Sequence, residues 1–226
     1  MCGRYSLKID FETLARRFKA EPPTESYPGS YNISPTEVVP VILNTNPKQI
    51  ELARWGIIPS WDKTGKQPII NARKDSLEKP TFRKSFRERR CLVLADSFYE
   101  WMKTDGQTAK RPFRFLLKSE EPFAFAGIWT IQEDGESDQP HYAIITTEAN
   151  RIVGQVHDRM PAILKPEAER GWLDLDTSLD DALELLQPYP DHEMRAYEIS
   201  TLINSLAHDA LEILKPILAE SIHEED

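Results

Sequence analysis

Cysteine is almost missing from this chain: its 226 residues hold two, Cys2 and Cys91. Two cysteines so far apart give neither a disulfide framework nor a Cys-x-x-Cys zinc pattern. A free thiol suits a reducing cytosol. No apolar run approaches the ~20 residues that span a bilayer. The start of the chain, with Arg4 and Lys8 among polar residues, lacks the apolar stretch of a signal peptide. The expectation is a cytoplasmic protein with no membrane partner. Glycine-rich phosphate loops are also lacking, since neither G-x-G-x-x-G nor G-x-x-x-x-G-K-[ST] occurs, which argues against a nucleotide-binding fold. There is no internal repeat, linker or low-complexity block. What is present, 40% hydrophobic and 29% charged residues, fits an ordinary globular protein with a real core.

The net charge of −9 at first argues against a nucleic-acid partner, but its distribution does not. Residues 1–53 carry six basic and six acidic side chains, residues 54–111 carry 14 and 7, and residues 112–226 carry 8 and 24. A basic middle is joined to an acidic second half, and a local basic face decides whether phosphates bind. The same run, Lys74 to Arg90, reads equally well as a solvated helical face.

Asp10 caps an expected helix over 11–19, where Phe11, Leu14, Ala15 and Phe18 recur at helical spacing. Residues 38–43 and 50–57 read as two strands of a hairpin around a turn at 44–47. An irregular segment follows from Pro59 to Pro68. Phe82 and Phe86 lie on a short helix with a basic opposite face. Cys91 to Tyr99 reads as one buried strand, with further strands at 113–117, 122–130, 141–147 and 194–200. Helices are expected at 148–156, 166–173 and 178–186, and residues 221–226 form an acidic tail expected to be disordered. Mixed elements without βαβ regularity predict a single α+β domain, a mainly antiparallel curled sheet flanked by short helices.

Cys2, directly after Met1, is chemically distinctive. Removal of Met1 leaves an amine and a thiol on neighbouring carbons. This pair condenses with an aldehyde: the amine forms a Schiff base, and the tethered thiol closes a five-membered thiazolidine. By position alone Cys2 is a frayed terminus. Four polar segments stand at the ends of apolar runs, where sites are built: Asn71-Ala72-Arg73, Glu100-Trp101, His157-Asp158-Arg159 and Asn204-Ser205. Singly, each has a plain structural reading. Asn71 caps a turn, Glu100 pairs with a base, and His157 is a satisfied core histidine.

Together they match a known family. The ordered segments are Met1-Cys2-Gly3-Arg4-Tyr5, Tyr31-Asn32-Ile33-Ser34-Pro35, the run from Arg54 to Trp61, Ile70-Asn71-Ala72-Arg73 and the run from Arg89 to Trp101. They continue with Phe125 to Trp129, Ile144 to Asn150, His157-Asp158-Arg159-Met160-Pro161 and Ile203-Asn204-Ser205. On these the chain resembles the SRAP family, SOS-response-associated peptidase-like proteins that process abasic sites in DNA. Ser34, Asp62 and Lys74-Asp75-Ser76 depart mildly from the family's usual residues.

The resemblance implies an enzyme that takes single-stranded DNA containing abasic sites. Cys2 would form a covalent thiazolidine crosslink, without a cofactor or metal. It implies Glu100 as the proton-transfer group, His157 as the group acting on the sugar oxygen, and Asn71 as the amide that holds sugar and Cys2 in line. Arg4, Arg73 and Arg159 would clamp phosphates, Asn32 would join them at the DNA, and Trp61 would stack on exposed bases. Trp55, Trp101 and Trp129 are assigned to the core. Replication-fork proteins stand as candidate partners, nucleoid association would follow from DNA binding, and a monomer is the default. Two other readings stay open: an N-terminal-nucleophile hydrolase or self-processing peptidase using the same Cys2, and a non-covalent binder of single-stranded DNA.

Overall fold

A computed structural model describes residues 2–59, 61–62, 64–103, 110–134 and 137–222. In chain order its elements are β1 (Tyr5–Leu7), α1 (Phe11–Phe18), β2 (Ser30–Ile33), β3 (Val38–Leu43), β4 (Glu51–Trp55), β5 (Asn71–Arg73), α2 (Pro80–Glu88), β6 (Arg90–Ala95) and β7 (Ser97–Met102). These are followed by β8 (Arg111–Leu117), β9 (Phe123–Asp134), β10 (Ser137–Glu148), α3 (Arg151–Gly154), β11 (Arg159–Pro161), β12 (Ile163–Leu164), α4 (Pro166–Leu173), α5 (Leu179–Glu184), β13 (Met194–Ile199) and β14 (Pro216–Ile222). The fold is α+β, with short helices outside two mainly antiparallel sheets. No helix among the described residues is long and apolar enough to cross a membrane.

One sheet closes on itself. Pairings β10–β4, β4–β3, β3–β6, β6–β9 and β9–β10 form a ring of five strands, with β5, β11 and β12 added around it. Closure leaves those five strands without a free edge. The other sheet is open, in the order β14-β13-β8-β7-β1-β2. Aromatic rings fill the space between the sheets: Tyr5 packs edge-on against Trp55 and Phe125, and its hydroxyl meets that of Tyr142 at 2.8 Å, so neither buried phenol lacks a partner. Trp55 and Trp129 are buried as expected, their indole N–H groups donating to Ile70 O and Asn44 Oδ1.

The tightest crossing between the sheets is a single residue long. The run Cys91–Tyr99 is two strands rather than one, because the chain turns at Asp96 from β6 in the ring to β7 in the open sheet. Asp96 holds the corner: its carboxylate accepts from the Lys8 amide and the Ser6 hydroxyl. Arg114, which binds the hydroxyls of Ser97 and Tyr197, lies 3.9 Å away. The helix expected over 148–156 shrinks to α3. Residues 146–148 stay extended against β11, and Asn150 caps the helix by accepting from the Val153 amide at 2.9 Å. Ser221 and Ile222, expected to belong to a disordered tail, instead pair with β13; the rest of that tail, residues 223–226, lies outside the described residues.

Candidate active site

The junction of the two sheets gathers the residues singled out above. β1 pairs with β7 through Tyr5↔Phe98, and the Tyr99 amide donates to Arg4 O at 3.0 Å. The first residues therefore lie along the strand that carries Glu100. β10 is flanked at its end by β5, with Ile144 opposite Asn71 and Thr146 opposite Arg73, and by β11, with Glu148 opposite Arg159. Asn71 and Arg73, two apart on a strand, share a face. The turn after α3, closed by the His157 amide donating to Val153 O at 2.9 Å, delivers His157 beside them.

Cys2 is fully buried. Asn71 Nδ2 donates to its carbonyl at 2.8 Å, while Asn71 Oδ1 is a buried acceptor without a hydrogen-bond donor among the described residues. The Cys2 thiol faces Arg4 O at 3.7 Å. Burial first, and then the Glu100 carboxylate, push that thiol far above its ordinary range. Glu100 is 3% exposed; burial raises its carboxyl pKa, and the nearby His157 opposes the rise. A carboxyl moved upward by desolvation can take and return a proton nearer neutral pH.

His157 borders two cavities. One, of about 460 Å³, is lined by Gly3, Arg4, Glu100, Trp101 and the lysines 103 and 110. The other, of about 660 Å³, is lined by Arg73, Arg159, Asp158, Glu148 and Ala149. Cations therefore stand on both sides of the Cys2 neighbourhood. Arg159 donates from Nη2 to Thr146 O at 2.7 Å. Burial and the nearby Arg73 lower the Arg159 guanidinium from its ordinary value, so the two cations feel each other's field. Arg73 is paired with Asp75 at 2.5 Å near the surface.

Some expectations change. Asn32 is 3% exposed and its amide is committed inward: Oδ1 accepts from Arg4 Nη1 at 2.6 Å, and Nδ2 is shared among the carbonyls of Ile203, Ser205 and His208. It holds Arg4 rather than facing a ligand. Trp101 is half-buried rather than fully enclosed: it packs against the cluster of Tyr99, Ile199, Ile203 and Ile213, lines the cavity with Glu100, and donates its indole N–H to Asn204 Oδ1 at 2.7 Å. Trp61 is 64% exposed on the connection between β4 and β5, outside the linings of both cavities. Nothing in the sequence sets Lys103 and Lys110 apart from the rest of the basic middle, although Lys103, two residues beyond Trp101 at the end of β7, stands at an alternate position to it. None of the basic residues of α2 lines either cavity. No group of three or more metal-ligating side chains occurs among the described residues.

The family model described as SOS response associated peptidase (SRAP) matches residues 1–206. The chain belongs to the SRAP family. Among its relatives is the abasic site processing protein YoqW of Bacillus subtilis, 40% identical over 224 residues covering 95% of this chain and 99% of that protein. The abasic site processing protein HMCES of Xenopus tropicalis is 31% identical, over 86% of this chain and 68% of that one. Among solved structures, a Bacteroides thetaiotaomicron protein superposes with a TM-score of 0.86 at 25% identity, covering 96% of this SRAP chain and all of that one.

Proposed function

We propose that this SRAP protein processes abasic sites in single-stranded DNA by forming a thiazolidine crosslink through Cys2 once Met1 has been removed. The observation that carries the reading is the seat of Cys2: a residue at the chain's start is fully buried, held by Asn71 and placed in the field of Glu100. His157 sits where the two cation-lined cavities meet. Residues at the start of a chain are usually poorly ordered unless something ties them down.

The reaction divides among these groups. Glu100 takes the proton of the C1′ hydroxyl of the closed sugar, the C1′–O4′ bond breaks, and His157 supplies the proton that O4′ needs. The Cys2 amine adds to the aldehyde carbon, with Asn71 Oδ1 an acceptor for an N–H of the attacking amine, and water leaves, giving the imine. The thiol then adds across the imine, sulfur to carbon and proton to nitrogen. Because the thiol is held protonated, its proton must pass through a neighbouring base, and Glu100 serves. Arg4, Arg73 and Arg159, with Lys103 and Lys110, hold the flanking phosphates, and Trp101 offers a ring to an unstacked base.

The test is intact mass of the Met1-processed protein after incubation with a single-stranded abasic oligonucleotide. A gain of one oligonucleotide less one water is expected, and Cys2→Ser must abolish the denaturation-resistant adduct. Recovery of free protein alone would sink the reading. The word peptidase in the family's description motivates a second reading, acyl attack by Cys2. A cysteine nucleophile of that kind works as a lowered-pKa thiolate, whereas burial and Glu100 move this thiol the other way. Turnover of a fluorogenic peptide would favour that second reading.

A further inference from the structure

The ring of His157 has two competing partners on one nitrogen. The Arg159 amide donates to Nδ1 at 3.0 Å, and Asp158 Oδ1 lies 2.9 Å from the same atom. The two contacts make opposite demands. The Arg159 N–H needs a bare Nδ1, which leaves the ring's proton on Nε2. The Asp158 carboxylate needs a proton on Nδ1. One nitrogen cannot satisfy both at once, so the two partners belong to two states of the ring.

These states differ in what Nε2 can do. With Nδ1 bare, the Nε2 proton can be shared in a hydrogen bond but not given away, because loss would leave an imidazolate. With Nδ1–H held by Asp158, Nε2 can pass between protonated and bare forms and so can give a proton up and take one back. We propose that Asp158 is a positioning residue that selects this second state, and that Arg159 N–H holds His157 in a resting one. The inference rests on the proposed role of His157 at the sugar oxygen. In that role Nε2 gives its proton to O4′ as the C1′–O4′ bond breaks and is recharged when Glu100, having taken the hydroxyl proton, returns it; Nδ1–H stays on Asp158 throughout, so the proton count closes. Other charges share the space: Glu100, Arg4 and Lys103 from one cavity, and Arg73, Glu148 and Arg159 from the other. The Asp158 side chain is 87% exposed, so its hold on Nδ1 is screened and can be exchanged for the Arg159 N–H.

The experiment is ¹⁵N NMR of histidine-labelled, Met1-processed protein, wild type and Asp158→Asn, with the crosslinking rate of each measured alongside. Asp158→Asn keeps shape and removes the charge. The expected result is a shift of the His157 ring toward the form with bare Nδ1, with crosslinking slowed on the order of tenfold, less than the roughly 10²–10⁴-fold that proton transfer contributes, because His157 itself stays in place. Asp158→Glu should recover part of both. An unchanged tautomer population overturns the proposal whatever the rate does, and so does a changed population with crosslinking within twofold of wild type. If wild-type protein forms no crosslink, the functional reading fails, while the ring's tautomer still reports whether Asp158 sets it.

Discussion

Replacing Glu100 by glutamine sets two effects of opposite sign against each other. Glutamine keeps the volume and removes the charge. The carboxylate is one of two causes that push the Cys2 thiol upward, so its loss lets the thiol ionise more easily and favours sulfur attack. It is also the proposed base, and losing a positioned base costs typically 10²–10⁴-fold. Burial is the larger cause of the thiol's displacement and is untouched by the substitution. The gain in thiolate is therefore the smaller effect, and the loss wins. Glu100→Gln should crosslink more slowly, by less than the roughly 10²–10⁴-fold that a lost base costs alone, measured as denaturation-resistant adduct formed under single-turnover conditions. Its rate should also lose the rise expected of the wild type as pH climbs through the Glu100 value, which burial holds above the ordinary 4.5. Stability moves the other way. A carboxyl whose pKa is raised in the folded state binds protons more tightly there than in the unfolded chain. Its contribution is therefore most favourable below 4.5 and is lost as pH climbs through the folded value. Glutamine removes that loss, so Glu100→Gln should raise Tm at pH 7 and leave it nearly unchanged near pH 4. A variant that crosslinks as fast as wild type would refute the base assignment, and one that melts lower at pH 7 would refute the desolvation argument.

Three further outcomes follow from the geometry. Arg73→Ala and Lys110→Ala lie on opposite sides of His157, and each should reduce the salt slope of reversible binding to single-stranded DNA by about 0.7, read from log–log titrations. Asn32→Ala removes the acceptor that fixes Arg4 and leaves backbone carbonyls without their donor; it should weaken DNA binding like Arg4→Ala and also cost about 1–3 kcal/mol of stability in urea titrations. Gly127→Ala should destabilise by about 1–3 kcal/mol without altering crosslinking per folded molecule, because the new Cβ would meet Cys91 Sγ at 2.7 Å and Val93 Cγ2 at 3.0 Å across the closed ring.

Local signals reported what is local. Asp10 and Ser178 cap helices, and the hairpin of β3 and β4 stands where apolar runs flank a turn. Most of the unforeseen elements are short strands, although β14, with seven residues, is also absent from the sequence pattern. β1, β5 and β11 each have three residues, too few for any period to emerge, and they exist because a neighbour supplies the ladder. The break at Asp96 was hidden for a related reason: both strands it separates are apolar, and only the change of sheet divides them. Asn32 illustrates the limit for polar residues. A motif marks a position as special, but a buried amide that orients an arginine and one that touches a ligand carry the same letter.

The site inherits its precision from those same short strands. Asn71 and Arg73 hang on one side of β10 and Arg159 on the other, so the spacing of the arginines is set by the sheet rather than by loops. Cys2 is fixed through β1, which Asp96 ties to the corner by way of Ser6 and Lys8. A substitution at Asp96 would thus loosen both the joint between the sheets and the seat of Cys2. Asp96→Asn keeps a side-chain acceptor for the Lys8 amide but loses the charge facing Arg114. It should slow crosslinking while leaving reversible DNA binding in place, because the cations of the two cavities do not depend on β1 alone. Equal losses of binding and crosslinking in Asp96→Asn would mean that the corner supports the whole groove rather than the placement of Cys2.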